Sequence, residues 1–399
     1  QADVDSIIQY VLYGEHKGQT FDDLQQFVDT FGPRMSGSDA LEDAIDWIVD
    51  TATDEGFDEV YTEDVQVLNW VRNSESATML EPRVQKLNML GLGSSIGTPE
   101  EGITAEVVAV TSFDELQELA DLVPGKIVVY NQPYENYGQS VEYRSEGAKE
   151  AAKLGAIGTL IRTAADFSIG SPHTGQQYYD YTIEKIPTAC ISVENAQMIY
   201  RLYAAGKTVK VNLVMGAQNL PDATSRNTII DHTGSEMPED IVVVAGHIDS
   251  WDVGAGAMDD GGGSFVSYHA NLVLQRMGLR AKRTVRTILF TAEEQGVIGG
   301  YEYFNRHQDS SANYQLMLEA DLGTFTPYGI GFYGSDTATC IMQEIVNLTA
   351  AMNASEVIVS SNGPDIGMWT KLGVPIGSLY ADTSRYFWFH HSEGDSMEV

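Results

Sequence analysis

The chain has 399 residues, of which 43% are hydrophobic, so it can bury full-sized cores and is long enough for two or three domains. Its formal net charge of −34 comes from 23 basic and 57 acidic residues. A surface of that sign repels the phosphates of nucleic acids, so we expect no nucleic-acid partner. No apolar stretch approaches the roughly 20 residues that a membrane-spanning helix needs, so we expect no membrane span.

The first ninety residues mix helical and strand patterns. Residues 2–15 and 39–55 have helical spacing, and residues 58–67 alternate as a strand does. The second helix places its apolar side chains on one face, and these are Leu41, Ala44, Ile45, Ile48 and Ala52. We therefore expect this helix to pack against a core along that face.

A glycine-rich stretch at 91–99 and a second break at 218–226 enclose a segment of different texture. Turn signals separate its short apolar runs, which are 105–110, 126–130, 157–161, 186–193 and 209–215, and a helix is predicted at 146–154. The pattern predicts a β-rich domain, residues 91–218, inserted into a larger domain formed by residues 1–90 and 219–399.

From residue 227 onward, apolar strands alternate with helices. The predicted strands are 241–245, 284–291, 314–319 and 373–379, and the predicted helices are 264–277, 297–306 and 337–352. This alternation predicts an α/β fold, a three-layer sandwich with a mainly parallel central sheet. Ligands of such sheets bind beyond the carboxyl ends of the strands.

A histidine lies at such a strand end. His247 follows the apolar run 241–245, and the carboxylate of Asp249 stands two positions on. A lone histidine is usually a satisfied core residue. A nearby carboxylate that accepts its second ring N–H, however, would fix the tautomer and strengthen the imidazole as a metal ligand.

Two carboxylates, Asp259 and Asp260, precede three glycines. They could serve only as favourable acids at a helix start. A phosphate-binding loop is not favoured, because two carboxylates repel phosphate and the lysine of a P-loop is missing. A carboxylate that bridges two cations fits better, so we assign the bridge to Asp259 and a supporting role to Asp260.

Further candidate ligands end the later strands. Glu293 and Glu294 are adjacent and point to opposite sides, so one can bind metal while the other takes a proton from water. Asp321 follows the third strand, although it could also be a turn cap. One of His390 and His391 can pack in the aromatic cluster before them while the other binds metal. A two-metal hydrolase is the leading interpretation.

Other protease chemistry is not supported by the sequence. It contains no His-Glu-x-x-His motif, which a single-zinc protease helix would carry. The cysteines Cys190 and Cys340 lack a basic, exposed setting that would activate a thiolate. They fall in different predicted domains, so we expect no disulfide between them, and Cys190 is expected to be buried.

Together these motifs resemble those of the co-catalytic zinc exopeptidases, the family of aminopeptidases and glutamate carboxypeptidases. The likeness covers nearly the whole chain. The matching segments are 81–83, 125–133, 171–175, 247–263, 291–295 and 389–392. The resemblance implies two Zn²⁺ ions per chain, with His247 and Asp321 on one, Glu294 and His391 on the other, and Asp259 bridging both.

The resemblance also implies the remaining roles. Glu293 would be the general base, and Asp249 the partner of the first histidine ligand. Many relatives have a tyrosine just before the last histidine ligand, where this chain has His390. The oxyanion donor or substrate contact therefore stays open between His390 and Tyr386. The inserted segment 91–218 would be a protease-associated domain.

The members that this chain resembles most are secreted or lysosomal glycoproteins that act as homodimers on dipeptides with free termini. The resemblance implies the same for this chain. The start at Gln1 favours a removed leader, and two N-x-S/T triplets mark Asn347 and Asn353 as candidate N-glycosylation sites. Relatives continue further beyond the last histidine ligand, so a trimmed carboxyl terminus stays open.

Two alternative functions stay open. One is a broad aminopeptidase that acts on longer peptides, which differs from a dipeptidase in how the cleft treats the carboxylate of the substrate. The other is a receptor or binding protein on the same scaffold that has lost its metals. The presence of every expected ligand and of Glu293 favours the enzyme.

Overall fold

The computed structural model describes residues 1–360 and 363–398. The chain forms two compact units. The first comprises residues 1–67, residues 222–386 and the terminal segment from Asp395, and the second comprises residues 68–221 and 387–394.

In chain order, the helices are α1 (Ala2–Leu12), α2 (Gln19–Phe31), α3 (Asp39–Asp54), α4 (Phe113–Glu118), α5 (Tyr137–Lys153), α6 (Val193–Ala204), α7 (Gly262–Arg276), α8 (Ile298–His307), α9 (Asp336–Val346) and α10 (Tyr386–Phe389). Short 3-10 helices occupy Ala120–Leu122, Gln308–Asn313, Asn347–Met352 and Gly367–Leu372. Within the described parts of the chain, none of the helices has the length and apolar character needed to cross a membrane.

The strands, also in chain order, are β1 (Glu59–Val71), β2 (Glu75–Glu81), β3 (Gln85–Leu87), β4 (Met89–Gly91), β5 (Ile103–Val110), β6 (Ile127–Tyr130), β7 (Gly158–Arg162), β8 (Thr188–Ile191), β9 (Lys210–Met215), β10 (Gln218–His232), β11 (Met237–His247), β12 (Arg283–Phe290), β13 (Tyr314–Glu319), β14 (Pro327–Tyr333), β15 (Glu356–Val359) and β16 (Ile376–Ala381).

The sheet of the first unit has the strand order β1-β10-β12-β11-β13-β16-β14-β15. The four central strands β12, β11, β13 and β16 are parallel to their neighbours within this group. Antiparallel pairs flank them, where β10 meets β12 and β14 meets β16. The sheet is thus mixed, and the expected parallel arrangement is confined mainly to the centre that carries the candidate ligands.

Neighbouring residues of β10 and β12 pack into two different cores. Ile230 and Leu289 pack with α2, α3 and α7, whereas Ile229 and Ile288 pack with Tyr303 of α8 and its neighbours. Successive side chains of a strand point to opposite faces, so both faces of the sheet are covered. The first unit therefore has three layers, helices on each side of one sheet.

Helix α3 shows how the local sequence directs this packing. It begins after Ser38, whose hydroxyl accepts a hydrogen bond from the backbone N–H of Leu41 at 3.2 Å. Such a cap satisfies one of the N–H groups that a helix start leaves over. All five apolar residues of the predicted face are buried. The prediction of this helix and of its core-facing side is confirmed.

The second unit has its own sheet, in the order β3-β2-β9-β5-β6-β7-β8-β4. The strands β5, β6, β7 and β8 run parallel and contribute side chains to an apolar core that includes Tyr130, Ile161 and Cys190. Cys190 is buried, Cys340 is exposed, and both are free thiols. The absence of a disulfide between these two residues agrees with the sequence.

The inserted unit is larger than the predicted segment 91–218. It begins at Leu68, because β2 and β3 pair with each other and β2 also pairs with β9. It also includes the distant segment 387–394, which carries two of the candidate site residues. A strand that is completed by a partner far along the chain carries no local signal of the domain to which it belongs.

Candidate metal centre

The imidazole of His247 is at the centre of the site in the first unit. His247 is the last residue of β11 and is fully buried. Its Nε2 lies 3.2 Å from Asp321 Oδ1 and 3.4 Å from Asp259 Oδ1. Its Nδ1 lies 3.1 Å from the backbone oxygen of Asp249. A proton on Nδ1 donates to that carbonyl and leaves Nε2 as the nitrogen that faces the carboxylates.

Three adjacent parallel strands bring the ligands together. His247 ends β11, Asp321 follows β13, and Glu294 follows β12, so all three lie at the carboxyl edge of the sheet. One ligand atom each from His247, Asp259 and Glu294 lies within 4.8 Å of the others. A second group with the same property consists of His247, Asp260 and Asp321. Four predicted metal ligands of this unit are therefore close together.

Asp260 supports the backbone rather than competing with Asp259. Its Oδ2 accepts the N–H of His247 at 3.1 Å, and its Oδ1 accepts the N–H of Gly263 at 3.0 Å. The glycine is needed because a Cβ at position 263 would lie 2.0 Å from the backbone oxygen of Ala320. These contacts agree with the expected role of Asp260, which is to support the backbone beside the ligands.

Asp249 acts on more than the histidine. Its carboxylate lies 3.5 Å from His247 Nδ1, farther than its own backbone carbonyl does. The two carboxylate oxygens instead accept the backbone N–H groups of Glu293, at 3.2 Å, and Glu294, at 3.3 Å. Asp249 thus orients the backbone of both glutamates, a contact that the sequence did not indicate.

The electrostatics of the site favour a cation. Burial by itself lowers the pKa of His247, but hydrogen bonds to Asp249, Asp259 and Asp321 raise it well above its usual value. Burial raises the pKa of Glu293 well above its usual range; His247 opposes this shift, and Asp321 adds to it. Crowded, buried carboxylates resist ionisation, and a bound cation relieves that cost.

The donor set matches zinc. Zn²⁺ binds imidazole nitrogens and carboxylate oxygens, and a bridging carboxylate is suited to two ions. In this unit His247 offers a nitrogen, and Asp259, Glu294 and Asp321 offer oxygens at the same edge of the sheet. The residues present fit a zinc site by the chemistry of their atoms and by their burial.

Tyr386 belongs to the same unit and is buried. Burial raises the pKa of its hydroxyl well above the usual value, and the carboxylates of Asp259 and Asp321 add to this shift. The hydroxyl therefore stays protonated at ordinary pH and can donate a hydrogen bond to a substrate oxygen.

His390 and His391 lie in the segment 387–394 of the second unit. Their rings stack with centroids 3.6 Å apart. The Nδ1 of His391 lies 3.2 Å from the backbone oxygen of Thr174 and 3.3 Å from Nη1 of Arg144. A proton on Nδ1 would donate to this carbonyl and place the lone pair of the ring on Nε2, the nitrogen that would then face a metal. The assignment of His391 as a ligand stays a prediction.

Two buried charged residues of the first unit were missed by the sequence reasoning. Arg34 is fully buried and donates to several backbone carbonyls, and Asp395 accepts backbone N–H groups next to Asp259. Burial, and then the charge of Asp259, raise the pKa of Asp395 to about 7. Arg34 could have been singled out from the sequence, because it is an arginine between glycines in a chain that has few basic residues.

Comparison with known proteins identifies the family to which the chain belongs. Residues 227–399 match the model of peptidase family M28. Carboxypeptidase Q of Bos taurus is 52% identical over 394 residues, which are 99% of this chain and 84% of that protein. The chain belongs to peptidase family M28. The resemblance predicted from the sequence motifs is confirmed.

Solved structures agree with M28 membership. The M28 peptidase precursor from Shewanella amazonensis SB2B is 31% identical with a TM-score of 0.94, and the match covers 100% of this chain and 91% of that one. The zinc aminopeptidase BSAP from Bacillus subtilis is 19% identical with a TM-score of 0.71, over 95% and 89% of the two chains. The latter likeness concerns the fold alone, an α/β fold with mixed sheets.

Proposed function

We propose that this M28 member holds two zinc ions and hydrolyses short peptides, most of all dipeptides with free amino and carboxyl termini. Membership of the peptidase family and the similarity to carboxypeptidase Q make the chain a zinc metallo-exopeptidase, a hydrolase. The observation that carries the proposal is the meeting of His247, Asp259, Glu294 and Asp321 at the carboxyl edge of the first unit's sheet.

The proposed ligand sets follow from the resemblance. His247 and Asp321 would hold one ion, Glu294 and His391 would hold the other, and Asp259 would bridge both. The short distances from the imidazole of His247 to Asp321 and Asp259 support the first set. The group formed by His247, Asp259 and Glu294 supports the place of the second ion beside the bridge.

Two zinc ions in such a site would lower the pKa of a water molecule and stabilise negative charge on the scissile carbonyl oxygen. Glu293 would accept the proton of that water at its carboxylate and deliver it to the leaving amine. Its Oε2 lies 4.0 Å from Nε2 of His247, and 17% of its side chain is accessible. Asp249 holds the backbone of Glu293 and so orients this base.

A hydrogen-bond donor for the developing oxyanion completes the proposed mechanism. Tyr386 keeps its proton and is buried near the carboxylates. His390 is the other candidate, and its ring packs against Tyr137 and Phe387 with centroids 5.1 and 5.4 Å away. Because a neutral phenol donates without titrating near neutral pH, Tyr386 is the donor that we favour.

The cellular setting is part of the proposal. We propose that the second unit is a protease-associated domain, that the protein is secreted or lysosomal, and that it acts as a homodimer. The similarity to carboxypeptidase Q and the exposure of both sequon asparagines, Asn347 and Asn353, support glycosylation on a secretory route. Light scattering of the purified protein tests the dimer, and glycosidase treatment of protein from secreting cells tests the sugars.

The decisive experiment is a panel of dipeptides and tripeptides with free or blocked termini, assayed with the metal-free protein and after Zn²⁺ is added. We expect zinc-dependent hydrolysis of free dipeptides and little hydrolysis when either terminus is blocked. Cleavage of longer peptides and of substrates with a blocked carboxyl terminus would show a broad aminopeptidase. No binding of zinc and no hydrolysis would show a binding protein on this scaffold.

A further inference from the structure

The loop between two proposed ligands is buried. Residues 248–258 connect His247 at the end of β11 with Asp259 and form no helix or strand over most of their length. Ile248, Trp251 and Met258 are each at most 6% exposed. A buried loop has backbone N–H and C=O groups that neither a ladder nor bulk water satisfies, so other groups must do so.

Arg34 satisfies carbonyls at both ends of this loop. Its Nε donates to the oxygen of Ile248 at 2.8 Å, and its Nη1 and Nη2 donate to the oxygens of Ala255 and Gly256, each at 2.8 Å. Its backbone also exchanges hydrogen bonds with Ser250, at 2.9 and 3.1 Å. A planar guanidinium with several fixed donors can bind several carbonyls at once, which an ammonium cannot do in the same geometry.

Asp395 satisfies N–H groups at the end of the loop and beyond it. Its Oδ1 accepts from the backbone of Met258 at 2.7 Å, and its Oδ2 accepts from the backbone of Asp259 at 3.2 Å. Its backbone oxygen accepts the N–H of Ala255 at 2.7 Å. Ala255 is therefore held on both sides, by Arg34 through its oxygen and by Asp395 through its nitrogen.

We propose that Arg34 and Asp395 are positioning residues that hold the 248–258 loop in its metal-binding conformation before metal arrives, and thereby set the affinity for zinc. The inference rests on the proposed di-zinc function. Neither side chain is proposed to touch an ion. They act through the backbone that fixes where the carboxylate of Asp259 stands relative to His247. Removal of such outer partners typically weakens metal binding by about 10–100-fold.

The test is a zinc titration, in competition with a chromophoric chelator, of metal-free wild-type protein and of the variants Arg34→Lys and Asp395→Asn. Lysine keeps the charge but loses the fork of donors. Asparagine keeps the volume but replaces one of two acceptors with a donor. We expect both variants to bind Zn²⁺ about 10–100-fold more weakly than the wild type.

Matched controls make the same changes away from the loop. Arg226→Lys alters a pair with Glu42, and Asp58→Asn alters a pair with Arg280. Both controls should bind zinc as the wild type does. Urea unfolding of each metal-free variant is measured in parallel, because a merely structural role lowers stability while the affinity of the folded protein stays unchanged. Unchanged affinity in either folded loop variant would overturn the inference.

A measurement on the wild type alone covers the case in which both variants fail to fold. If the loop is held before metal arrives, the amides of Met258 and Asp259 exchange slowly with deuterium in the metal-free protein. Fast exchange of these amides contradicts the inference. If the wild type binds no zinc or hydrolyses no peptide, the proposed function itself is wrong. If the wild type binds zinc and hydrolyses peptides while the variants have the same zinc affinity as the wild type, only the inference about Arg34 and Asp395 is wrong.

Discussion

The two adjacent glutamates illustrate how single residues take different roles at one strand end. The carboxylate of Asp249 holds both of their backbone N–H groups, so their main chains are fixed together. The Glu294 residue is 7% exposed and groups with His247 and Asp259. The side chain of Glu293 is more accessible, and its pKa is raised by burial. A carboxylate with this environment is suited to accept a proton and release it again.

Replacement of the proposed base tests this division. We expect Glu293→Gln to keep the bound zinc and to lose about a hundredfold or more of kcat, because the amide cannot accept the proton of the attacking water. Zinc content and dipeptide turnover of the same preparation measure the two effects. A variant that retains most of its turnover would remove Glu293 from the role of base.

Replacement of Asp259, the proposed bridging ligand, should have a different effect from replacement of Glu293. In Asp259→Ala, zinc binding and activity should fall together, because one carboxylate serves both ions. Metal analysis after dialysis and a dipeptide assay measure this, with Asp309→Ala at an exposed position as the control. Two zinc ions bound as firmly as in the wild type would show that Asp259 does not bridge.

At the scale of elements, the strand ends were predictable because buried strands appear in the sequence as apolar runs. In the structure, the strands formed by three such runs end at one edge of the sheet, and His247, Glu293 and Asp321 lie at that edge. Helix α2 was not predicted, although Leu24, Phe27 and Val28 give it a short buried stripe. Strand β10 was interpreted as a break because its first half is polar and contains Pro221, yet β12 pairs with its second half.

The buried face of α3 allows a direct test of a sequence-derived element. Ile45 is fully buried in the core with α2 and α7. Ile45→Ala should lower the free energy of unfolding by about 2–5 kcal/mol, through lost burial and the cavity left behind. Urea denaturation measures the change. Asp50→Ala on the exposed side of the same helix should change it by less than about 0.5 kcal/mol, and equal effects of the two would contradict the packing.

Contacts to the backbone explain what the sequence could not show at the site. Arg34 and Asp395 bind main-chain atoms of the 248–258 loop, and any residue type can present such atoms. No spacing rule links positions so far apart along the chain. Likewise, the sequence predicts Asp249 as the partner of His247, but it gives no sign that the same carboxylate also accepts the backbone N–H groups of Glu293 and Glu294.

For the whole molecule, a buried histidine pair couples stability to pH. The Nδ1 of His269 lies 3.0 Å from Nε2 of His16, and Asp23 lies 3.4 Å from the other ring nitrogen of His269. Burial lowers the pKa of His269 to about 3, and the charges of His16 and Arg276 contribute to that shift. The unfolded chain therefore binds the proton more readily than the folded protein between about pH 6.5 and pH 3.

Stability should consequently fall as the pH falls through that window. Between pH 6.5 and 5, this residue should remove about 1–2 kcal/mol from the free energy of unfolding. Urea denaturation of the wild type and of His269→Gln at both pH values isolates the effect from the other titrating groups. The wild type should lose more stability than the variant. An equal loss in both would show that His269 is not the source.

The loop between His247 and Asp259 takes one of its anchors from residue 34 and the other from residue 395. During synthesis on the ribosome, the first anchor emerges long before the loop does, and the second emerges well after it. A nascent chain can therefore assemble most of the first sheet while the backbone next to Asp259 still lacks its acceptors. We expect the centre to be completed only after residue 395 has emerged, so that the cell supplies zinc to a chain that already contains both anchors.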